Sequence, residues 1–139
     1  MDKGIRNKLL FTLGTLWASP MTLIGLILGS GSIVLGARVS ISDSAIVFSK
    51  IPFVTQGALT LGQVILYTGV SLDAPAKTYH CVQFGGDDCV RIGTHEQAHV
   101  YQYMAFGILF LPLYFLHGGI CHKNRFEQAA DRYAQTGVG

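Results

Sequence analysis

His95, Glu96 and His99 fall within the stretch GTHEQAHVYQY, residues 93–103. On an α-helix, positions four apart lie one above the other, so both imidazoles can reach a single metal ion. Zinc suits such a pair, because it takes neutral nitrogen and carboxylate-oxygen ligands in a tetrahedron at roughly 2.0–2.2 Å. Glu96, next to the first histidine, can approach an attacking water without being a ligand and take its proton as general base. The metal contributes by making water acidic enough to attack a carbonyl at neutral pH. HExxH on a helix therefore has a spacing that this chemistry requires. The plain alternative is coincidence on an ordinary amphipathic helix. A chain with only 5 histidines and 8 acidic residues in 139 disfavours it.

A tetrahedral site needs a third protein ligand, and FEQAADRYA near the C-terminus offers one. Glu127 and Asp131 are four apart and share a helix face. Glu127 can ligate zinc, while Asp131 can accept the second ring N–H of a ligand histidine and so fix its tautomer. As a solvated face, two like charges at this spacing are mildly destabilising and call for a compensating cation. Other clusters are weaker. His117, Cys121 and His122 in LHGGICH have no rigid spacing to His95, and His80 with Cys81 and Cys89 is a poor match to a metal site. Tyr101, Tyr103 and Tyr133 could act as hydroxyl donors to a tetrahedral intermediate, or serve as interfacial aromatics with no such role.

The elements that must carry these residues belong to an apolar chain. Half of the residues are hydrophobic, 13% are charged and mean hydropathy is +0.40, which points to membrane lipid as a partner. A net charge of +2, with no basic cluster interleaved with aromatics, excludes a nucleic-acid-binding class. The length is that of one domain. Three cysteines make no disulfide framework. Cys81 and Cys89 could close a short loop in an oxidising compartment or remain thiols in a reducing one.

Residues 9–37 are 29 in a row without a charge, enough to cross a bilayer core of roughly 30 Å. Pro20 in SPMT reads as a break with a fresh helix start, so the run is either one tilted span or two helices, 5–18 and 21–37, folded as a hairpin. Residues 1–37 are thus expected to be a membrane anchor. A cleaved signal peptide fits less well, because the apolar part is too long and lacks a small-x-small cleavage site. RVSISDSAIVFSK alternates with period two around a DS turn, and residues 58–67 form a second β-like run. Residues 68–93 are loop-rich. THEQ has the form of a capping box with Thr94 as cap and Gln97 as its partner. A second apolar segment, 104–121, is interrupted by Pro112 and Gly118-Gly119, and a polar helix at 124–134 follows.

HEQAH followed by EQAAD resembles the HExxH…ExxAD signature of gluzincin metallopeptidases, particularly membrane-associated ones of the CAAX-prenyl-protease and heat-shock-protease type. Small bacterial membrane-associated proteins carrying HExxHVxQY…GxLFLPxY…NxFExxA are more similar still. The likeness covers residues 94–134, about a third of the chain. It implies zinc held by His95, His99 and Glu127, Glu96 as base, Asp131 behind a ligand, and peptides or membrane proteins as substrates. The chain departs from the large proteases in size: 27 residues separate His99 from Glu127, and the helices that form their substrate chamber are absent.

The expected architecture is α+β and minimally zincin-like: a small antiparallel sheet, the HExxH helix and a Glu-bearing C-terminal helix, in a metal-binding domain at 38–139. The expected function is zinc-dependent peptide hydrolysis at a membrane, with the edge run 58–67 offered to an extended substrate. The alternative is a structural zinc, or a degenerate site in a membrane assembly factor. If three ligands are to meet, 104–121 must return to its own side, as a re-entrant or interfacial element bent at Pro112 and Gly118-Gly119. Basic residues flank both apolar segments, which places the site on the cytoplasmic face of a bacterial inner membrane. A Cys81–Cys89 disulfide would argue for export instead.

Overall fold

The first apolar run is a single helix, α1 (Lys3–Ile33), in the computed structural model, which describes residues 2–52 and 57–137. Its 31 residues extend about 46 Å at the usual rise. Pro20 lies inside the helix, so the expected break at SPMT is not there. Proline cannot donate to the carbonyl four residues back, that of Leu16. Ser19 Oγ donates to that carbonyl instead, at 2.7 Å, and the acceptor is satisfied. The face of α1 turned toward the protein is made of Gly14, Ala18, Met21, Gly25, Gly29 and Ser32. At Gly29 a Cβ would stand 2.3 Å from the Phe48 ring, so only glycine allows this approach. Leu16, Trp17, Ile27 and Leu28 are exposed on the other face. Small residues inside and large apolar residues outside invert the pattern of a helix in a soluble protein.

β1 (Arg38–Ser42) and β2 (Ala45–Ser49) form the expected hairpin, turning at Asp43, whose φ is 51°. The run 58–67 is itself a hairpin, β3 (Ala58–Leu61) and β4 (Val64–Tyr67), reversing at Gly62 with φ 61°. The strand order is β1-β2-β4-β3, and β2 pairs with β4 in parallel. The sheet is therefore mixed, not antiparallel, because the chain leaves β2 for the outer edge and returns through β4. Val64 and Leu66 share a core with Ala18 and Met21 of α1, while Ile65 and Tyr67 pack in a second one with Val100. Burial on both faces explains why β4 reads as an unbroken apolar run. Only β3 is an edge strand in the 58–67 region.

The loop-rich segment contains a two-stranded ribbon, β5 (Pro75–Lys77) and β6 (Cys89–Arg91), around a short helix α2 (Tyr79–Phe84). Cys81, Cys89 and Cys121 are all free thiols. α3 (Ile92–Phe106) starts earlier than the capping-box reading requires. Arg91 is the cap and Thr94 sits in the first turn, where it accepts from Arg91 Nη1 at 3.3 Å. Gln97 does not fold back; its amide donates to Ser44 Oγ in the β1–β2 turn.

α3 ends at Gly107, where φ is +58° and a Cβ would stand 2.6 Å from Trp17 Nε1. A 3-10 turn (Gly107–Leu109) and α4 (Phe110–Leu116) follow. The bend expected at Pro112 is at Gly107 instead; Pro112 occupies the first turn of α4, where a missing N–H removes no helical hydrogen bond. The reversal at Gly118 (φ 111°) and Gly119 (φ 65°) falls where the sequence places it. Asn124 Oδ1 then caps α5 (Arg125–Thr136) by accepting from Phe126 N at 2.9 Å. Its amide donates to the Tyr114 and Gly119 carbonyls, tying the reversal together. α5 packs alongside α3. The stretches Lys3–Ile33 and Ile92–Leu116 are both long and apolar enough to cross a membrane, although the second is broken at Gly107.

Candidate metal centre

The i, i+4 spacing on α3 puts His95 and His99 on one stripe, and α5 lies alongside to bring up Glu127 and Asp131. All five chemistry-bearing side chains (these four and Glu96) are buried. His95 Nε2 and His99 Nε2 are 3.2 Å apart. Glu127 Oε2 lies 3.1 Å from the first and 3.3 Å from the second. Ligands about 2.0–2.1 Å from a tetrahedral metal stand about 3.3–3.4 Å from one another, so this near-equilateral triangle matches three of its corners. The donor set, two imidazoles and a carboxylate, is one that zinc accepts.

Each ligand atom is presented by a hydrogen bond at the far end of its side chain. His95 Nδ1 lies 3.0 Å from Asp131 Oδ1, and Asp131 Oδ2 accepts the Tyr79 backbone N–H at 2.9 Å. His99 Nδ1 lies 2.8 Å from Gln102 Oε1, and the Gln102 amide donates to the Phe126 carbonyl at 3.0 Å. Both Nδ1 atoms thus have acceptors that favour a proton there, leaving both Nε2 atoms for the metal. Tyr114 donates to Glu127 Oε1, which leaves Oε2 as the oxygen facing the histidines.

Glu96 is placed differently. Its carboxylate comes within 4.8 Å of the ring nitrogens of His95 and His99, and its Oε2 accepts from Thr60 Oγ1 at 2.6 Å. Thr60 belongs to edge strand β3, so the sheet orients the expected base. A cavity of about 160 Å³ opens between β3, α3 and α4, lined by His95, Glu96, His99 and Glu127 together with Leu59, Phe110, Leu111 and Phe115. Its walls are mostly apolar, with the polar groups converging at one end.

Charge is concentrated in this buried cluster. Burial opposes ionisation of Glu127, but hydrogen bonds from His95, His99 and Tyr114 outweigh it and hold the carboxyl well below its usual range. Burial also disfavours the charged form of His95, yet Asp131 and Glu127 more than compensate and push its pKa up to about 10. Burial and the nearby carboxylates of Glu127, Glu96 and Asp131 raise the Tyr79 hydroxyl above its ordinary value.

The five residues picked out in the sequence come together here. The other candidates do not: among the described residues, neither the His117–Cys121–His122 group nor His80 with the two nearby cysteines forms a cluster of three ligand atoms. Tyr101 and Tyr133 pack on each other, whereas Tyr103 lines the cavity. Thr60, Tyr79, Gln102 and Tyr114 are absent from the sequence reading. Gln102, one turn after His99, could have been found from its spacing; the others arrive through tertiary folding. Compared with protein-family models, curated proteins and solved structures, the chain matches none.

Proposed function

We propose that the chain is a membrane-associated zinc metallopeptidase in which His95, His99 and Glu127 hold the metal and Glu96 is the general base. The observation that carries this reading is the position of Glu96. It stands beside the ligand triangle within the same cavity, hydrogen-bonded to Thr60 and not paired to either histidine. A purely structural metal has no use for a carboxylate so placed. When bound, the metal supplies the acidity that lets water attack a carbonyl. Glu96 takes the proton from that water, and Thr60 holds the carboxylate in position to receive it. Asp131 and Gln102 keep the two imidazoles turned so that their Nε2 atoms face inward. Edge strand β3 borders the cavity, and its outer backbone groups, which no described strand pairs, are open to an extended peptide that would lie across the base and the ligand triangle.

Lipid is the partner that best suits the outward face of α1. Large apolar side chains cover that face, and Ile108, Leu109, Phe115 and Leu116 add to the exposed apolar surface near the cavity. A substrate drawn from the membrane or its surface is the natural match. The test is hydrolysis of a peptide library by the zinc-loaded chain in detergent micelles. Glu96→Gln should keep zinc while hydrolysis falls roughly 100- to 10,000-fold, the usual worth of a general base. A fully active Glu96→Gln variant would remove the proposed mechanism.

A further inference from the structure

The cleft between β3 and α3 changes character along its length. His95, His99 and Tyr103 follow one another at one-turn intervals on α3. At the Tyr103 end stands Phe110, with ring centroids 4.4 Å apart, in one core with Leu61 of β3. At the His95 end stands Tyr79, with ring centroids 6.0 Å apart. Thr60 meets Glu96 and Leu61 joins the Tyr103 core, so the Ala58 end of β3 lies on the Tyr79 side. Tyr79 also borders a second cavity, of about 470 Å³, lined by His80, Asp88, His122, Gln128, Arg132 and Gln135. On the opposite wall, Ile120 lines the first cavity and His122, two residues on, lines the second. The first is apolar and the second polar. Phe115 and Ile120 are exposed at the mouth of the first, as are Ile108 and Leu109 nearby. In the second, the side chains of Arg132 and Asp88 form no hydrogen bond or ion pair among the described residues. Asp131, which borders it as well, is already held by His95 and the Tyr79 N–H.

We propose that the polar cavity is a second part of the substrate site, and that the chain cleaves peptides apolar on one side of the scissile bond and polar on the other. Such a sequence occurs where a transmembrane segment meets water. The inference rests on the peptidase reading and gives that site its class of substrate. An extended peptide advances about 3.3 Å per residue, so two residues cover the distance between the His95 and Tyr79 rings and the next reaches the polar cavity. A polar side chain set against Phe110 and Leu111 would give up its hydrogen bonds to water. An apolar one laid over Arg132 and Asp88 would cut those charges off from theirs. A peptide of two blocks, placed to match the cleft, incurs neither penalty.

The test uses the zinc-loaded full-length chain in detergent micelles and fluorogenic peptides built from a leucine–alanine block and a serine–glutamine block. Both block orders are assayed, because a peptide can lie along β3 in either direction, together with uniform apolar and uniform polar peptides of equal length. One block order should be cleaved at the boundary, located by mass spectrometry, with kcat/KM roughly 10-fold or more above both uniform peptides. A variant carrying His80→Leu and Arg132→Leu makes the second cavity less polar; both side chains are exposed and neither forms a hydrogen bond among the described residues. It should keep its zinc, while the ratio of kcat/KM for the preferred two-block peptide over the uniform apolar one falls roughly 5- to 10-fold. A wild type that cleaves a uniform peptide as well as either two-block peptide, or that cuts away from the boundary, would overturn the proposal and leave the peptidase reading intact. So would an unchanged ratio in the double variant. If the wild type cleaves none of these peptides, the peptidase reading fails and the assignment with it.

Discussion

Asp131 holds His95 from behind, with Oδ1 3.0 Å from Nδ1, and is itself held by the backbone N–H of Tyr79. The contact connects α5 to α3 and sets which ring nitrogen faces Glu127. Removing it leaves all three expected ligands in place but frees the imidazole to rotate. Asp131→Ala is therefore expected to weaken zinc binding about 10- to 100-fold, as measured by competition with a chromophoric chelator. An unchanged zinc affinity would show that the contact is structural only.

The same contact makes metal binding pH-dependent. With its pKa pushed up to about 10, His95 is protonated at neutral pH in the metal-free protein, and zinc has to displace that proton. Zinc affinity should accordingly rise with pH between about 6 and 9, with proton release detectable by calorimetry in buffers of different ionisation enthalpy. For folding of the metal-free chain the sign is opposite. A raised histidine pKa contributes stability in full below the ordinary value of 6.5, and that contribution is lost as pH climbs through about 10. Asp131→Asn should flatten the alkaline loss, which denaturation curves across this range would reveal.

Close approach of α1 to the sheet depends on Gly29, where a Cβ would overlap the Phe48 ring. Both groups are buried, so the overlap is relieved only by shifting the helix or the ring. Gly29→Ala is expected to destabilise the chain by about 1–3 kcal/mol despite its better helix propensity. Gly31→Ala, with open space around its Cβ, should be neutral or mildly stabilising. Denaturant titration of the two variants in the same detergent distinguishes packing from propensity.

The candidate site was far more legible in the sequence than the fold around it. His95, Glu96 and His99 are fixed relative to one another by helical spacing alone, and Glu127 and Asp131 by the same rule on α5. The β1–β2 hairpin was readable because β1 alternates and a DS turn follows. β4 was not, because a strand buried on both faces loses its period-two pattern and merges with β3. Pro20 looked like a break because its compensation, Ser19 bonding to Leu16, is a side-chain geometry that no periodicity reports. The bend at Gly107 was missed for a related reason: what requires a glycine there is Trp17, ninety residues earlier in the chain. Thr60 and Tyr114 reach the site from elements whose placement only the folded chain defines.

The chain bends at Gly107 and reverses at Gly118-Gly119, and α5 packs back alongside α3, so Thr94 and Lys123 should share one side of any membrane. Single cysteines at these two positions, introduced into a chain lacking Cys81, Cys89 and Cys121, are expected to react alike with an impermeant thiol reagent in sealed vesicles. Opposite accessibility would separate Glu127 from the histidines and end its assignment as a ligand.

The most direct measurement is the zinc content of the purified chain, for the wild type and for a variant carrying both His95→Ala and His99→Ala. We expect close to one zinc per chain in the wild type and essentially none in the variant, since two of three ligands are gone. A wild type that holds no zinc when saturated and dialysed, or a double variant that keeps the wild-type stoichiometry, would contradict the metal centre on which the proposed function rests.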